Sequence, residues 1–346
     1  MRAFITGVAG PSLTAEERQF LKEAQPWGLI VFARNIGDGE SLRRLIEEFR
    51  STLGRQAPVL IDQEGGRVQR LRPPLCPSYP PGASYGELYD RDRENGLRAA
   101  SLGARLIAAD LVQYGVDVDC APIADVPVAG SDPIIGDRAY GKEPAKVAAI
   151  GGAIAAGLLE GGVLPVLKHI PGHGRATADS HERLPVVTTD RATLEATDFA
   201  AFRPLAALPL GMTAHVVFTA FDPVAPATSS VTIVKQVIRD SIGFRGLLMS
   251  DDVSMGALSG SLGERTTAAL TAGCDMVLHC NGKMPEMITV AAEAPLLAGE
   301  AARRAAAALA ARRPAAPIDI AASRAEFSNL IAGVFTANWA PAPNSV

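Results

Sequence analysis

Three of the five histidines in this 346-residue chain lie in one fourteen-residue segment, KHIPGHGRATADSH, at positions 168–181. Histidines gathered in this way can bind a metal ion, transfer protons or occupy a plain loop. His169 and His173 have the spacing of two ligands on one helix face, but Pro171 and Gly172 lie between them and predict a loop. The segment has no HExxH motif and no nearby cysteine. A metal site is therefore disfavoured, and a metal-dependent hydrolase that uses these histidines and a carboxylate remains an alternative.

Asp179 and His181 are two residues apart, so their side chains lie on the same side of an extended loop. A carboxylate beside an imidazole fixes the tautomer of the ring and raises its basicity. The pair could therefore transfer protons. Taken alone, the segment is explained more simply by a turn aspartate and an exposed histidine. Ser180 is a weak candidate for a nucleophile, because adjacent residues rarely face each other and no GxSxG motif occurs.

A carboxylate nucleophile is available at the end of an apolar run, LLMSDD, at positions 247–252. A carboxylate of this kind can attack an electrophilic carbon and form a covalent intermediate. Cleavage of a glycosidic bond needs such a group together with a proton donor for the leaving oxygen. Asp251 and Asp252 are adjacent and point in different directions, so we expect one to react and the other to cap the next turn.

Eight short apolar runs alternate with longer helical patterns along the chain. The runs cover residues 3–8, 28–34, 58–62, 116–125, 163–169, 210–216, 247–252 and 275–280. They are apolar on both faces, which is typical of buried parallel strands, and the intervening helices provide the crossover connections. The sequence therefore predicts an α/β fold, a single-domain (β/α)8 TIM barrel over residues 1–338, with a loose Pro-rich tail at 339–346.

Two local signals bear on this prediction. Residues 14–24 begin with Thr14 and carry Glu17 three positions later, which is the pattern of a capping box at a helix start. The competing fold, an open doubly wound sheet, usually has a GxGxxG turn after its first strand, and the sequence GVAGPS lacks that pattern. Both signals are compatible with the barrel.

Charged residues and histidines follow five consecutive predicted strands. They are Asp62, Asp137, Arg138, Lys168, His169, His215, Asp251 and Asp252. The active site of a TIM barrel forms at the carboxyl ends of its strands. Burying an unpaired charge costs several kcal/mol, so this concentration of polar residues favours a functional site. Internal salt bridges that close one end of the barrel are the structural alternative.

The composition excludes several classes of protein. The net charge is −4, so no strong basic field attracts nucleic acid or anionic lipid. No run of eighteen apolar residues predicts a membrane span, and no signal peptide is expected at the start. The four cysteines form no CxxC pair. We expect a cytoplasmic protein, monomeric by default, that has no cofactor and binds neither nucleic acid nor membrane.

Four motifs, in this order, resemble those of the β-N-acetylglucosaminidases of glycoside hydrolase family 3, bacterial enzymes of peptidoglycan recycling. The motifs are DQEGGRVQRL at 62–71, KHIPGHG at 168–174, DSH at 179–181 and MSDDVSM at 249–255. The resemblance extends over about residues 1–335. It implies a retaining exo-β-N-acetylglucosaminidase that releases terminal N-acetylglucosamine from GlcNAc-1,6-anhydromuramyl peptides through a covalent intermediate, without a metal.

The resemblance also implies roles for individual residues. Asp251 matches the nucleophile, and His181 matches a histidine general acid/base with Asp179 as its partner. The residues that match sugar-binding positions are Asp62, Arg70, Arg138, Lys168 and His169, and His215 is expected to line the same site. His173 is expected to be structural. A non-catalytic sugar sensor on this scaffold is the remaining alternative, and the intact nucleophile and dyad argue against it.

Overall fold

The computed structural model describes residues 1–335, and within that range eight parallel strands close into a barrel in chain order. They are β1 (Arg2–Thr6), β2 (Pro26–Val31), β3 (Val59–Ile61), β4 (Val118–Asp119), β5 (Leu164–Ile170), β6 (Leu210–Thr213), β7 (Leu247–Asp252) and β8 (Met276–His279). β8 pairs with β1, with Val277 opposite Phe4. The predicted TIM barrel is confirmed, and each predicted apolar run overlaps one strand. The predicted tail at 339–346 lies outside the described residues.

Helices surround the barrel. Their bounds are Ala15–Ala24, Gly39–Leu53, Gly82–Arg91, Arg93–Val112, Pro144–Glu160, Arg191–Ala196, Asp198–Phe202, Ile233–Ser241 (a π-helix), Leu262–Ala272, Met284–Glu293, Gly299–Ala310 and Ile320–Ile331. Two short strand pairs lie outside the barrel, Gln63–Gly65 with Val68–Gln69 and Val186–Val187 with Val217–Phe218. No helix in the described part of the chain is long and apolar enough to span a membrane.

The core has two layers because successive strand residues point to opposite faces of the sheet. On β1, Ile5 belongs to the cluster that fills the barrel, whereas Phe4 belongs to the layer between the sheet and the helices. Both side chains are fully buried. Burial on both sides explains why the strands are apolar along their whole length and leaves charged residues only at the strand ends.

The predicted capping box forms at the start of the helix Ala15–Ala24. The Thr14 hydroxyl accepts the backbone N–H of Glu17 at 3.0 Å, and the Glu17 carboxylate accepts the backbone N–H of Thr14 at 2.8 Å. The other oxygen of Glu17 accepts the N–H of Ala9 at 2.8 Å. The cap therefore also fixes the loop that follows β1.

Thr14→Ala should lower the free energy of unfolding by about 1 kcal/mol, because one helix N–H loses its partner. Ser51→Ala, at an exposed position inside the helix Gly39–Leu53, is the control and should change it by less than about 0.5 kcal/mol. Urea denaturation of the three proteins measures both values. Equal values for the two variants would contradict the role of the cap.

Candidate active site

A cavity of about 370 Å³ opens at the carboxyl ends of the barrel strands. This volume lies within the usual range for small-molecule sites. Seven of the nine predicted site residues line it, namely Asp62, Arg70, Arg138, Lys168, His169, His181 and Asp251. The other two, Asp179 and His215, are not among the residues that line it. Residues from the ends of several predicted strands therefore meet at one cavity.

A chain of alternating charges connects residues of the cavity wall. The Asp62 carboxylate accepts hydrogen bonds from Arg70 and Lys168, each at 2.9 Å. The Lys168 ammonium also contacts Glu64 at 2.7 Å. Glu64 in turn accepts two hydrogen bonds from the Arg138 guanidinium, at 2.8 and 2.9 Å. Three cations therefore share two buried carboxylates.

Glu64 is the one residue among these paired charges that was not predicted as a site residue. It stands inside the DQEGG motif and its side chain is buried between Lys168 and Arg138. The position could have been noticed as an acidic residue next to a strand end, but no pattern in the sequence identifies its two partners. The structure therefore adds a carboxylate that joins two of the predicted sugar-binding residues.

The ion pairs keep Lys168 and Asp62 ionised although both are buried. Burial by itself would lower the pKa of Lys168, but the neighbouring Asp62 and Glu64 carboxylates outweigh it and raise that pKa. Burial would likewise raise the pKa of Asp62, and the charges of Lys168 and Arg70 lower it well below its ordinary range instead. Desolvated charges of this kind are stable only while each keeps its partners.

A tight hairpin brings Arg70 back to Asp62. The strands Gln63–Gly65 and Val68–Gln69 are antiparallel, and the chain turns through two glycines with φ of +97° at Gly65 and +57° at Gly66. A Cβ at Gly65 would lie 2.3 Å from the carbonyl oxygen of Pro80. The paired glycines of the motif are therefore required by the backbone conformation and by the close approach.

Asp251 is the last but one residue of the barrel strand β7, and it lines the cavity. Within residues 1–335 it accepts one hydrogen bond, from the N–H of Asp252 at 2.8 Å, which leaves the other oxygen available to react. Burial would raise the pKa of Asp251, but His215, His169 and the Asp252 N–H outweigh it and lower that pKa. The carboxylate is therefore ionised at neutral pH.

Asp252 has the capping role that we expected for one of the two aspartates. Its carboxylate accepts the backbone N–H of Ser254 at 3.0 Å and the Ser254 hydroxyl at 2.7 Å. It also accepts the N–H of Cys280 at 3.2 Å. Because these bonds commit Asp252 to the turn after β7, Asp251 is the carboxylate suited to react.

His215 does not line the cavity, in contrast to our expectation. The side chain is fully buried, with Nδ1 2.7 Å from the Thr228 hydroxyl and Nε2 3.0 Å from the carbonyl oxygen of Asp252. A carbonyl oxygen only accepts hydrogen bonds, so Nε2 carries the proton and Nδ1 accepts from Thr228. Burial lowers the pKa of His215, which agrees with a neutral ring. His215 therefore supports the backbone beside Asp251.

His169 and His181 each pair with an aspartate. The Nδ1 of His169 lies 2.7 Å from the Asp125 carboxylate, and the Nδ1 of His181 lies 2.7 Å from Asp179. The first pair is buried, whereas the His181 side chain is 63% exposed. Asp125 was missed as a site residue because it closes the predicted strand 116–125, where it was counted with the strand. The two pairs therefore differ in solvent access, and His181 is free to meet a leaving group.

No group of three or more histidine, cysteine, aspartate and glutamate side chains in the described residues has the geometry to hold a metal ion. The two histidines that the metal alternative would use have protein partners. His169 bonds to Asp125, and the Nε2 of His173 lies 3.0 Å from the Ser180 hydroxyl. Protein hydrogen bonds thus account for the clustering of histidines in the segment.

Comparisons with known proteins agree with this geometry. The family model described as Glycosyl hydrolase family 3 N terminal domain matches residues 5–311. A Beta-hexosaminidase of Alkalilimnicola ehrlichii is 40% identical over 281 residues, which are 80% of this chain and 79% of that protein. A Beta-hexosaminidase of Vibrio cholerae is 39% identical over 279 residues, 79% of this chain and 81% of that protein.

This chain is also similar to solved structures. The native structure of NagZ from Neisseria gonorrhoeae is 30% identical, with a TM-score of 0.86, and the alignment covers 96% of this chain and 98% of that one. A structure of the same protein in complex with a zinc ion is 28% identical with a TM-score of 0.85, at the same coverage. The fold and these relatives are those of a glycoside hydrolase. The chain belongs to glycoside hydrolase family 3.

Glu64→Gln should lower the free energy of unfolding by roughly 3 kcal/mol, because Lys168 and Arg138 lose a buried counter-charge. Asp137→Asn is the matched control, since it breaks an ion pair with Arg67 in which both side chains are more than 40% exposed. That change should cost less than about 1 kcal/mol. Urea denaturation of both variants checks the difference, and similar losses would contradict the role assigned to Glu64.

His173, one of the two buried histidines of the segment, should make stability depend on pH. Burial, followed by the charge of His169, lowers the pKa of His173 from 6.5 to about 4. The unfolded chain therefore binds a proton at a higher pH than the folded chain does. The stability from the neutral ring is complete above pH 6.5 and is lost as the pH falls toward 4.

His173→Gln removes this titration and should flatten the loss of stability over that interval. The difference in the free energy of unfolding between wild type and His173→Gln should change by on the order of 3 kcal/mol across this pH interval. Calorimetric unfolding at a series of pH values measures the effect. If the free energy of unfolding of wild type and variant changes in parallel from pH 6.5 down to about 4, His173 does not titrate in this way.

Proposed function

We propose that this protein is a retaining exo-β-N-acetylglucosaminidase, a β-hexosaminidase that removes terminal β-linked N-acetylglucosamine from GlcNAc-1,6-anhydromuramyl peptides. The observation that carries the proposal is that Asp251 and His181 line one cavity whose wall also holds the paired charges of Asp62, Lys168 and Arg138. Relatives named Beta-hexosaminidase at about 40% identity support the sugar specificity. The peptidoglycan substrate, the recycling role and the cytoplasmic location rest on the family resemblance alone.

In the first step, the Asp251 carboxylate attacks the anomeric carbon of the sugar. The bond from that carbon to the leaving oxygen breaks, and the imidazolium of His181 gives its proton to this oxygen. The low pKa of Asp251 supports the nucleophile role, because the attacking carboxylate must be ionised. The products are a glycosyl ester on Asp251, a free aglycone and a neutral His181.

In the second step, the neutral imidazole accepts a proton from water as the water attacks the same carbon. The ester bond breaks, Asp251 is released as a carboxylate, and N-acetylglucosamine leaves with its original β configuration. Asp179 supports both steps. Its hydrogen bond to Nδ1 fixes the tautomer of His181, so that Nε2 is the atom that exchanges the proton.

The charge chain supports sugar binding. Asp62 still has a lone pair free for a sugar hydroxyl, and Lys168, Arg70 and Arg138 are held as donors in fixed orientations by their carboxylate partners. Ionic and polar groups fixed in this way orient a small polar ligand and reject an apolar one. We further propose that the protein is active as a monomer.

The decisive experiment compares the kcat/KM for 4-nitrophenyl and methyl N-acetyl-β-glucosaminide. Asp251→Asn should lose nearly all activity on both substrates, whereas the neighbouring Asp252→Asn should retain far more. His181→Ala should slow the methyl glycoside by about 10²–10⁴-fold. It should slow the nitrophenyl glycoside much less, because nitrophenolate leaves without a proton.

A chelator should leave the activity of the wild type unchanged. Chelator-sensitive turnover would favour the metal-dependent alternative, and binding of N-acetylglucosamine without any turnover would favour the sugar sensor. Equal losses for both substrates in His181→Ala would remove His181 from the proton-transfer role. Activity retained by Asp251→Asn would refute the nucleophile.

A further inference from the structure

The loop that carries Asp179 and His181 is bonded to the rest of the barrel through Ser180, the residue between them. Ser180 stands between the two residues and is buried, and its hydroxyl lies 3.0 Å from Nε2 of the buried His173. The backbone N–H of His173 donates to the Asp125 carboxylate at 2.6 Å, and the same carboxylate holds His169. The loop is therefore connected through hydrogen bonds to the cavity wall.

A second attachment comes from the turn after β7. The N–H of Gly256 donates to the carbonyl oxygen of His181, and the N–H of Ala257 donates to that of Ser180, each at 3.1 Å. A Cβ at position 256 would lie 2.7 Å from the His181 oxygen and 2.8 Å from the Glu182 oxygen. Only glycine allows the two backbones to approach this closely. The strand that carries Asp251 thus leads directly into the turn that holds His181.

The His181 imidazole depends on these backbone attachments for its position. Its side chain is 63% exposed, and within residues 1–335 the only side chain bonded to the ring is Asp179, which belongs to the same loop. Packing against the barrel therefore does little to place it. A general acid must lie within hydrogen-bond reach of the leaving oxygen, and a displacement of about 1 Å can cost on the order of 10²-fold in rate.

We propose that Ser180 and Gly256 are positioning residues for the general acid: the His173–Ser180 bond and the close Gly256–His181 contact set where the imidazole stands relative to the nucleophile. This inference rests on the proposed function of His181. It assigns no contact with the sugar to either residue. Their effect is on proton transfer to the leaving oxygen.

The test uses the two glycosides of different leaving group. Ser180→Ala removes the hydroxyl, and Gly256→Ala pushes the His181 backbone away by adding a methyl group. Each variant should lower the ratio of kcat/KM for the methyl glycoside to that for the nitrophenyl glycoside by about 10-fold or more. Ser180→Ala changes one atom, so it keeps the test open if Gly256→Ala does not fold.

Glu182→Ala is the matched control, because this residue is exposed in the same loop and its carboxylate has no bonded partner in the described chain. It should keep the wild-type ratio. The ratio is the informative quantity, since a general loss of folded protein lowers both rate constants equally. His181→Ala provides the reference for complete loss of the acid.

If His181→Ala lowers the ratio while Ser180→Ala leaves it at the wild-type value, the positioning role is overturned and the proposed function stands. If His181→Ala itself leaves the ratio unchanged, the proposed function fails and the positioning role falls with it. A lowered ratio in His181→Ala, Ser180→Ala and Gly256→Ala, with an unchanged ratio in Glu182→Ala, supports both.

Discussion

The ammonium of Lys168 is buried between two carboxylates, Asp62 and Glu64, and the rest of the site depends on this arrangement. A buried cation without partners would be strongly unfavourable, so the strand end of β5 must meet both the end of β3 and the hairpin that follows it. Glu64 then fixes Arg138 in the loop after β4. One ionic constraint therefore brings three neighbouring segments to the cavity and gives their side chains fixed positions before any sugar binds.

The two proposed reacting groups, Asp251 and His181, are supported in different ways. Asp251 belongs to a barrel strand that pairs with a neighbouring strand on each side. His181 belongs to a loop and is largely exposed. A nucleophile on a barrel strand and an accessible proton donor on a loop suit a reaction in which the donor must protonate leaving groups of varied shape. The turn through Gly256 joins the two supports, because the strand that carries Asp251 leads into the turn whose N–H groups bond the backbone of the His181 loop.

The sequence predicted the barrel and most of the cavity because both follow from simple periodic rules. Continuous apolar runs identify buried parallel strands, and polar residues at their carboxyl ends meet at one rim. The failures occur where a role depends on contacts between distant segments. Glu64 pairs with Lys168, which is 104 residues away in the sequence. Asp125 pairs with His169, which is 44 residues away.

His215 was misplaced for a different reason. The predicted strand extended to residue 216, but β6 ends at Thr213, so His215 lies beyond the strand, where its ring is bonded to the Thr228 hydroxyl and the Asp252 carbonyl oxygen. The most direct test of the account is to trap the covalent intermediate with a fluorinated N-acetylglucosaminyl fluoride and to map it by mass spectrometry. We predict a sugar ester on Asp251 within the tryptic peptide 246–265. An inactivated enzyme with the label on another residue, or turnover of the probe with inverted configuration, would contradict it.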